Sequence, residues 1–184
     1  NTNAGGNGAS TASAFISLVN YSAINQLDNF ISPKINLTTV DNAQLTFKVA
    51  YRRYDIQYSD ELKVMISFDC GANFTTIYNK AGTNLSTGPD MTQTFIPTQS
   101  DDWRLETVNL TPYTGNTVII QFQSINHNGN NIFIDDINVI SDMPPTANFS
   151  AVSTTSCTGV IQFSNLSSGI PTSTISTCSR SPPT

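Results

Sequence analysis

The stretch Leu45-Thr46-Phe47-Lys48-Val49-Ala50-Tyr51 alternates apolar or aromatic residues at 45, 47, 49 and 51 with smaller or polar ones between them. A period of two is the signature of a β-strand with one face buried. Leu62-Lys63-Val64-Met65-Ile66-Ser67-Phe68 repeats it, with 62, 64, 66 and 68 expected inward. Val118–Phe122 and Ile132–Ile140 are more continuously apolar, as central strands are. Shorter strands are expected at 14–21, 30–37, 75–78 and 104–110. Turn chemistry separates them at Ser32-Pro33, Asp69-Cys70-Gly71, Ala81-Gly82, Gly88-Pro89 and His127–Asn131. No segment carries a sustained 3.6-residue apolar stripe. Many short strands at this spacing predict an all-β, antiparallel sandwich with one core between its sheets.

Composition agrees. The chain has 184 residues, of which 11% are charged, and its surface must be solvated largely by Asn, Ser and Thr. Long solvent-exposed helices favour Glu and Lys, yet Glu occurs only at positions 61 and 106. This balance suits a secreted or cell-surface β-protein. A net charge of −5 with a pI near 4.5 lacks the basic footprint that nucleic acid requires. No apolar run is long enough to span a bilayer. The start at Asn1 without a signal peptide reads as a piece of something larger. Three cysteines, Cys70, Cys157 and Cys178, allow at most one disulfide, and the sequence favours no particular pairing.

After Ser141-Asp142-Met143-Pro144-Pro145 the pattern breaks, because two prolines end a strand and open a linker. Residues 1–142 are expected to form the sandwich, and 143–184 a linker with a second, incomplete β-module. Strands are expected at 147–151 and 159–165. The remainder is Ser/Thr/Pro-rich and shows no apolar pattern, and some forty residues are too few for a self-standing core.

Catalysis is disfavoured residue by residue. The only histidine, His127, lies in an Asn/Gly turn; no His-Glu-x-x-His helix and no Gly-x-Ser-x-Gly elbow exists. Asp135 and Asp136, in Asn131–Ile140, are adjacent in a strand and point to opposite faces, so they cannot converge on one glycosidic bond. In Ser67–Phe74, Asp69 is positioned to accept backbone N–H groups across a tight turn and Gly71 to take φ > 0, a structural device.

Two sets of binding residues stand out. Arg52, Arg53, Tyr54 and Tyr58, with the lone Trp103, combine aromatic faces and guanidinium forks of the kind that bind sugars or peptides. The competing reading is ordinary packing, with Tyr51 in the core and Trp103 anchoring a loop. The second set is carboxylate. If Phe133, Ile137 and Val139 point inward, Asp135 goes in with them and needs a cation or several N–H donors. Calcium suits such a group, since it takes carboxylates, carbonyls and water. Asp28, ahead of the next strand, is the expected partner, with the neighbouring Asp136 completing the carboxylate set. Asn131 and the loop Asn3–Gly8 are weaker contributors. Backbone N–H bonds or an Arg partner at Asp135 explain the same residue without a metal.

The segments Asp28–Asp55, Ser59–Leu85 and Asp101–Val139, in that order, resemble the MAM-like jelly-roll domains of secreted bacterial proteins. The likeness is strongest to the domain behind the catalytic unit of pappalysin-type zinc metalloproteases, and the cleaved-adhesin domains of gingipain-type proteases are similar. Pro145–Gly169 resembles the opening of a PKD domain, although no Trp-x-Phe-Gly-Asp-Gly hairpin follows Ile170. The resemblance implies a jelly-roll sandwich and a non-catalytic accessory or adhesion role beside a parent catalytic domain. It implies an extracellular protein or polysaccharide partner, and a structural calcium between the last strand and the chain near the first. A carbohydrate-binding module proper is the alternative.

Overall fold

The computed structural model describes residues 5, 10–19, 21–142, 148–151, 160–166 and 177–179. The chain divides into two compact units, Asn1–Ser141 and Asp142–Thr184.

The strands of the first unit are β1 (Ala14–Ile16), β2 (Leu27–Ile31), β3 (Ile35–Asn36), β4 (Asn42–Tyr51), β5 (Glu61–Ser67), β6 (Thr75–Ala81), β7 (Arg104–Asn109), β8 (Thr117–Ile125) and β9 (Ile132–Asp142). They form two antiparallel sheets of order β1-β9-β4-β7 and β2-β8-β5-β6, with β3 also paired to β8. Apart from β2–β3 and the β5–β6 hairpin, which stay in one sheet, consecutive strands switch between sheets, which is jelly-roll connectivity. The expected strand at 30–37 is two pieces, because Ser32-Pro33 interrupts pairing.

Alternation places Leu45, Phe47, Val49 and Tyr51 of β4 and Leu62, Val64 and Ile66 of β5 in one core with Ile120 and Phe122 of β8. Phe47 is central, edge-on to Phe122 at 5.1 Å and to Tyr78 at 5.4 Å. Each such burial stabilises by about 2 kcal/mol. The edge formed by β6 and β7 is closed by charge. Lys80 of β6 places its ammonium 2.8 and 2.7 Å from the Glu106 carboxylate of β7, and Arg104 Nε donates to the same carboxylate at 2.7 Å. The Arg104 fork also caps the carbonyls of Asn84, Leu85 and Ser86, at the end of the single helical turn α1 (Gly82–Leu85).

β9 departs from the expected faces. Ile132 and Ile134 join the main core, while Phe133 lies on the outer face with Ala50 and Phe95. Asp136 then adopts φ 49, and Val139 returns to the main core. Positions 134 and 139 differ by an odd number, so the left-handed residue has shifted the alternation by one, as a bulge does. Asp135 is therefore half-buried rather than inward with Phe133, Ile137 and Val139. Its Oδ1 accepts the Asp136 N–H at 2.8 Å, and Asp136 pairs with Lys48 at 2.9 Å.

The second unit holds β10 (Phe149–Ala151), β11 (Val160–Asn165) and β12 (Thr177–Ser179), antiparallel in that order. β12 falls in the tail that showed no strand pattern. Cys157 and the expected linker at 143–147 lie outside the described residues.

Candidate functional site at one loop end of the sandwich

Four connections meet at one end of the sandwich: residues 21–26, 52–60, 82–103 and 126–131. Asp60 fastens them. It is fully buried, and its Oδ1 accepts the N–H groups of His127 at 2.8 Å and Gly129 at 3.1 Å. Its Oδ2 accepts the Asn130 N–H at 2.8 Å and the Tyr51 hydroxyl at 3.4 Å. The Asp60 N–H in turn donates to Tyr51 Oη at 2.8 Å. Burial pushes the Asp60 carboxyl above its ordinary range, offset in part by those donors. Burial, followed by the Asp60 charge, also raises the Tyr51 phenol.

The Asn-rich run then distributes the hold. Asn130 accepts the Phe95 N–H and donates to the carbonyls of Met91 and Gln93, each at 2.9 Å. Asn126 donates to the carbonyls of Tyr21 at 2.7 Å and Ala23 at 2.8 Å. His127 Nδ1 faces the Ser59 carbonyl at 3.1 Å, so the proton belongs on Nδ1. Gly129 is fixed by space, because a Cβ there would stand 2.3 Å from Asp60 Oδ2.

On this frame stands the tip of the 52–60 loop. Asp55 Oδ1 accepts the N–H groups of Gln57 at 2.7 Å and Tyr58 at 2.8 Å, an Asx-type turn. Arg53 grips Asp90 with two bonds, at 2.9 and 2.6 Å, and its hydrogen bonds hold the Asp90 carboxyl below the usual range. Tyr54 and Tyr58 meet edge to face at 6.1 Å, and between them Ile56 is 83% exposed. Met91 is exposed beside them, its N–H on the Arg53 carbonyl at 2.9 Å. Ile56 and Met91 escaped the sequence reading; the one available signal was an isoleucine in an otherwise polar turn.

The five predicted ligand residues therefore divide. Arg53, Tyr54 and Tyr58 assemble at the tip. Arg52 pairs with Asp102 at 2.7 Å and lies over the Phe95 ring at 5.6 Å, while Trp103 packs edge-on to Phe133 at 6.5 Å. These two belong to a small core on the outer face of the β1-β9-β4-β7 sheet, which the 95–103 segment covers. They are packing residues.

The expected calcium carboxylates do not assemble. Asp28 is exposed in β2, opposite Ser124, on one sheet; Asp135 and Asp136 sit in β9 on the other, with Asp136 engaged by Lys48. Among the described residues no three His, Cys, Asp or Glu side chains are grouped to hold a metal ion. Asn131 is buried and donates to the Phe95 carbonyl at 3.1 Å. Of the loop Asn3–Gly8, only Gly5 lies within the described residues. Asp69 follows expectation: it accepts the Asn73 N–H at 2.9 Å and the Ser67 hydroxyl at 2.7 Å, while Gly71 takes φ 90. The free Cys70 in that turn is exposed.

No family model matches the sequence, and no curated protein matches it. Solved structures do. The K3 cleaved adhesin domain of Lys-gingipain from Porphyromonas gingivalis W83 superposes with a TM-score of 0.52 at 18% identity, over 72% of this chain and 75% of that one. The K1 cleaved adhesin domain of the same protein gives 0.49 at 17%, over 71% and 74%. A structure of carbohydrate-binding modules from the β-sandwich superfamily gives 0.39 at 12%, over 70% and 53%. The likeness to the K3 domain is one of fold: an antiparallel β-sandwich.

Proposed function

We propose that this chain is a non-catalytic accessory or adhesion domain of a secreted bacterial protease-type protein, and that the 52–60 tip presents its ligand surface. The observation that carries the reading is the exposed pair Ile56 and Tyr58, with the half-buried Tyr54 ring packed against Tyr58, on a backbone fixed from both sides, by Asp60 beneath and by Arg53–Asp90 at its flank. Rigid aromatic area that is already ordered binds at low entropic cost. The similarity to a cleaved adhesin domain supports the role, and the MAM-like and PKD resemblances support a modular secreted parent. The partner is an extracellular protein or a polysaccharide surface.

A carbohydrate-binding module proper is the second reading, favoured by the exposed Tyr58 ring held in T-shaped contact with Tyr54. A panel of immobilised glycans and extracellular proteins, probed with wild type, Tyr54→Ala and Tyr58→Ala, separates them. Protein binding lost in both variants at unchanged melting temperature supports the adhesion role, and glycan binding lost in the same way supports the second. Binding that survives both substitutions refutes the tip.

Calcium belongs to the proposal at Asp135 alone. Because calcium accepts carbonyls and water besides carboxylates, one carboxylate beside the chain leading into β1 is a sufficient start. A ligand specific to the folded state raises the melting midpoint, so equal midpoints in saturating calcium and in chelator would remove it.

A further inference from the structure

The two outer faces of the sandwich differ. That of the β1-β9-β4-β7 sheet is covered by the Phe95–Trp103 segment, whereas that of the β2-β8-β5-β6 sheet carries a polar row across all four strands. Lys63 of β5 stands opposite Asn79 of β6 and Gln123 of β8, and Gln123 stands opposite Asn29 of β2. Their chain neighbours Leu62, Val64 and Phe122 fill the core, so the row points outward. At about 4.8 Å per strand step, it runs for about 14 Å.

The row is organised before any ligand arrives. Asn29 Oδ1 accepts the side-chain amides of both Gln121 and Gln123, each at 3.0 Å, and Gln121 is only 7% exposed. Lys63 is neutralised by Glu61 at 3.2 Å. Apolar residues flank it: Leu27 and Ile31, about half exposed at 48% and 52%, lie on either side of Asn29. A face that needed only solvation would not hold two carboxamides on the oxygen of a third.

We propose that this face is a binding platform for a neutral, hydroxyl-rich glycan chain lying across the strands. The charge pattern selects the occupant. The row's one cation is already paired, so nothing on it attracts a phosphate or carboxylate polymer. Carboxamides offer both donors and acceptors, which matches the dual character of a sugar hydroxyl. The flanking Leu27 and Ile31 give the C–H faces of sugar rings an apolar seat. The platform is distinct from the 52–60 tip, so either can fail alone.

The test is an NMR titration of the full chain, reading the side-chain amide signals of Asn29, Gln121 and Gln123. The probes are neutral cello-, xylo- and manno-oligosaccharides, an oligogalacturonate as anionic contrast, and a casein-derived peptide mixture. We expect at least one neutral oligosaccharide to shift all three signals. Asn29→Ala and Gln123→Ala should each weaken that binding about fivefold to tenfold, the loss of one or two hydrogen bonds, with Tyr58→Ala unchanged. No shift with any neutral oligosaccharide overturns the proposal. So does a shift by the peptides alone, which assigns the face to a protein, or binding that Tyr58→Ala abolishes and Asn29→Ala spares.

Discussion

Replacing Asp60 tests the loop-end frame directly. The side chain is fully buried and accepts three backbone N–H groups, from His127, Gly129 and Asn130, at 2.8, 3.1 and 2.8 Å. In Asp60→Ala those donors lose their acceptor inside the protein, at about 1–3 kcal/mol each. Part of that loss is returned, since a buried carboxylate carries its own desolvation penalty, visible in the raised carboxyl. The balance is a destabilisation of about 3 kcal/mol for Asp60→Ala. Asp60→Asn keeps one acceptor oxygen and sheds the charge, and about half that loss is expected. Urea denaturation gives the stability change from the midpoint, with the slope unchanged if the same surface is exposed. Amide exchange at His127, Gly129 and Asn130 locates it, because these are the backbone amides that lose their bonds directly. A change below about 0.5 kcal/mol for Asp60→Ala, the size of an ordinary surface substitution, would refute the frame. So would undiminished protection of the three amides. Because the folded-state carboxyl is raised, its proton stabilises the fold at pH below about 3.9, and that contribution is lost as pH rises through the raised folded value. The Asp60→Asn deficit should accordingly grow as pH falls from neutral.

Gly129→Ala should destabilise by about 2 kcal/mol, since the added methyl meets the short, buried Asp60 carboxylate at 2.3 Å and neither backbone nor side chain there has room to yield. A melting scan showing no loss would mean the 126–131 loop is looser than its bonds imply. Asp69 should titrate with the opposite sign to Asp60. The Asn73 amide, the Asn73 side chain and the Ser67 hydroxyl lower its carboxyl to about 2. Its stabilising contribution is therefore present above pH about 3.9 and lost as pH falls towards 2. Asp69→Asn should be less stable than wild type at pH 6 and converge with it in acid; a deficit independent of pH would show that the turn does not depend on the charge.

Where side chains alternate without interruption, the fold was legible. β4 and β5 place every expected inward residue in the core except Phe68, which lies beyond the end of β5 and is exposed. Period two is a local property of the strand and survives any sheet arrangement. β9 was misread because alternation is counted from one end, and Asp136 resets the count by taking φ 49. Aspartate tolerates that region better than most residues, yet nothing in its neighbours marks it as the one that does so. The short β12 was missed because its residues carry no apolar pattern, and pairing with β11 supplies what the pattern lacked. At the loop end, Tyr54 and Tyr58 were found as aromatics in a turn. Asp60 was not found, since its burial depends on a loop 67 to 70 positions further along the chain.

The charged residues explain why the basic and aromatic cluster promised more than it delivers. Charge is scarce in this chain, and most of its cations are committed: Lys48 to Asp136, Arg52 to Asp102, Arg53 to Asp90, Lys63 to Glu61, and Lys80 and Arg104 to Glu106. Several of these pairs join segments far apart in sequence, across the two sheets or from loop to loop. The Arg53 fork is occupied by Asp90, while Arg52 holds Asp102 through one terminal nitrogen with its Nε buried and without a partner, so neither turns to an anionic ligand without breaking its pair. Adjacent arginines beside tyrosines therefore signal a ligand site in a chain rich in spare charge, and a rivet in a chain with little. The groups left over for the proposed ligand surfaces are the Tyr58 and Tyr54 rings, the Ile56 side chain, and the carboxamides of the open sheet.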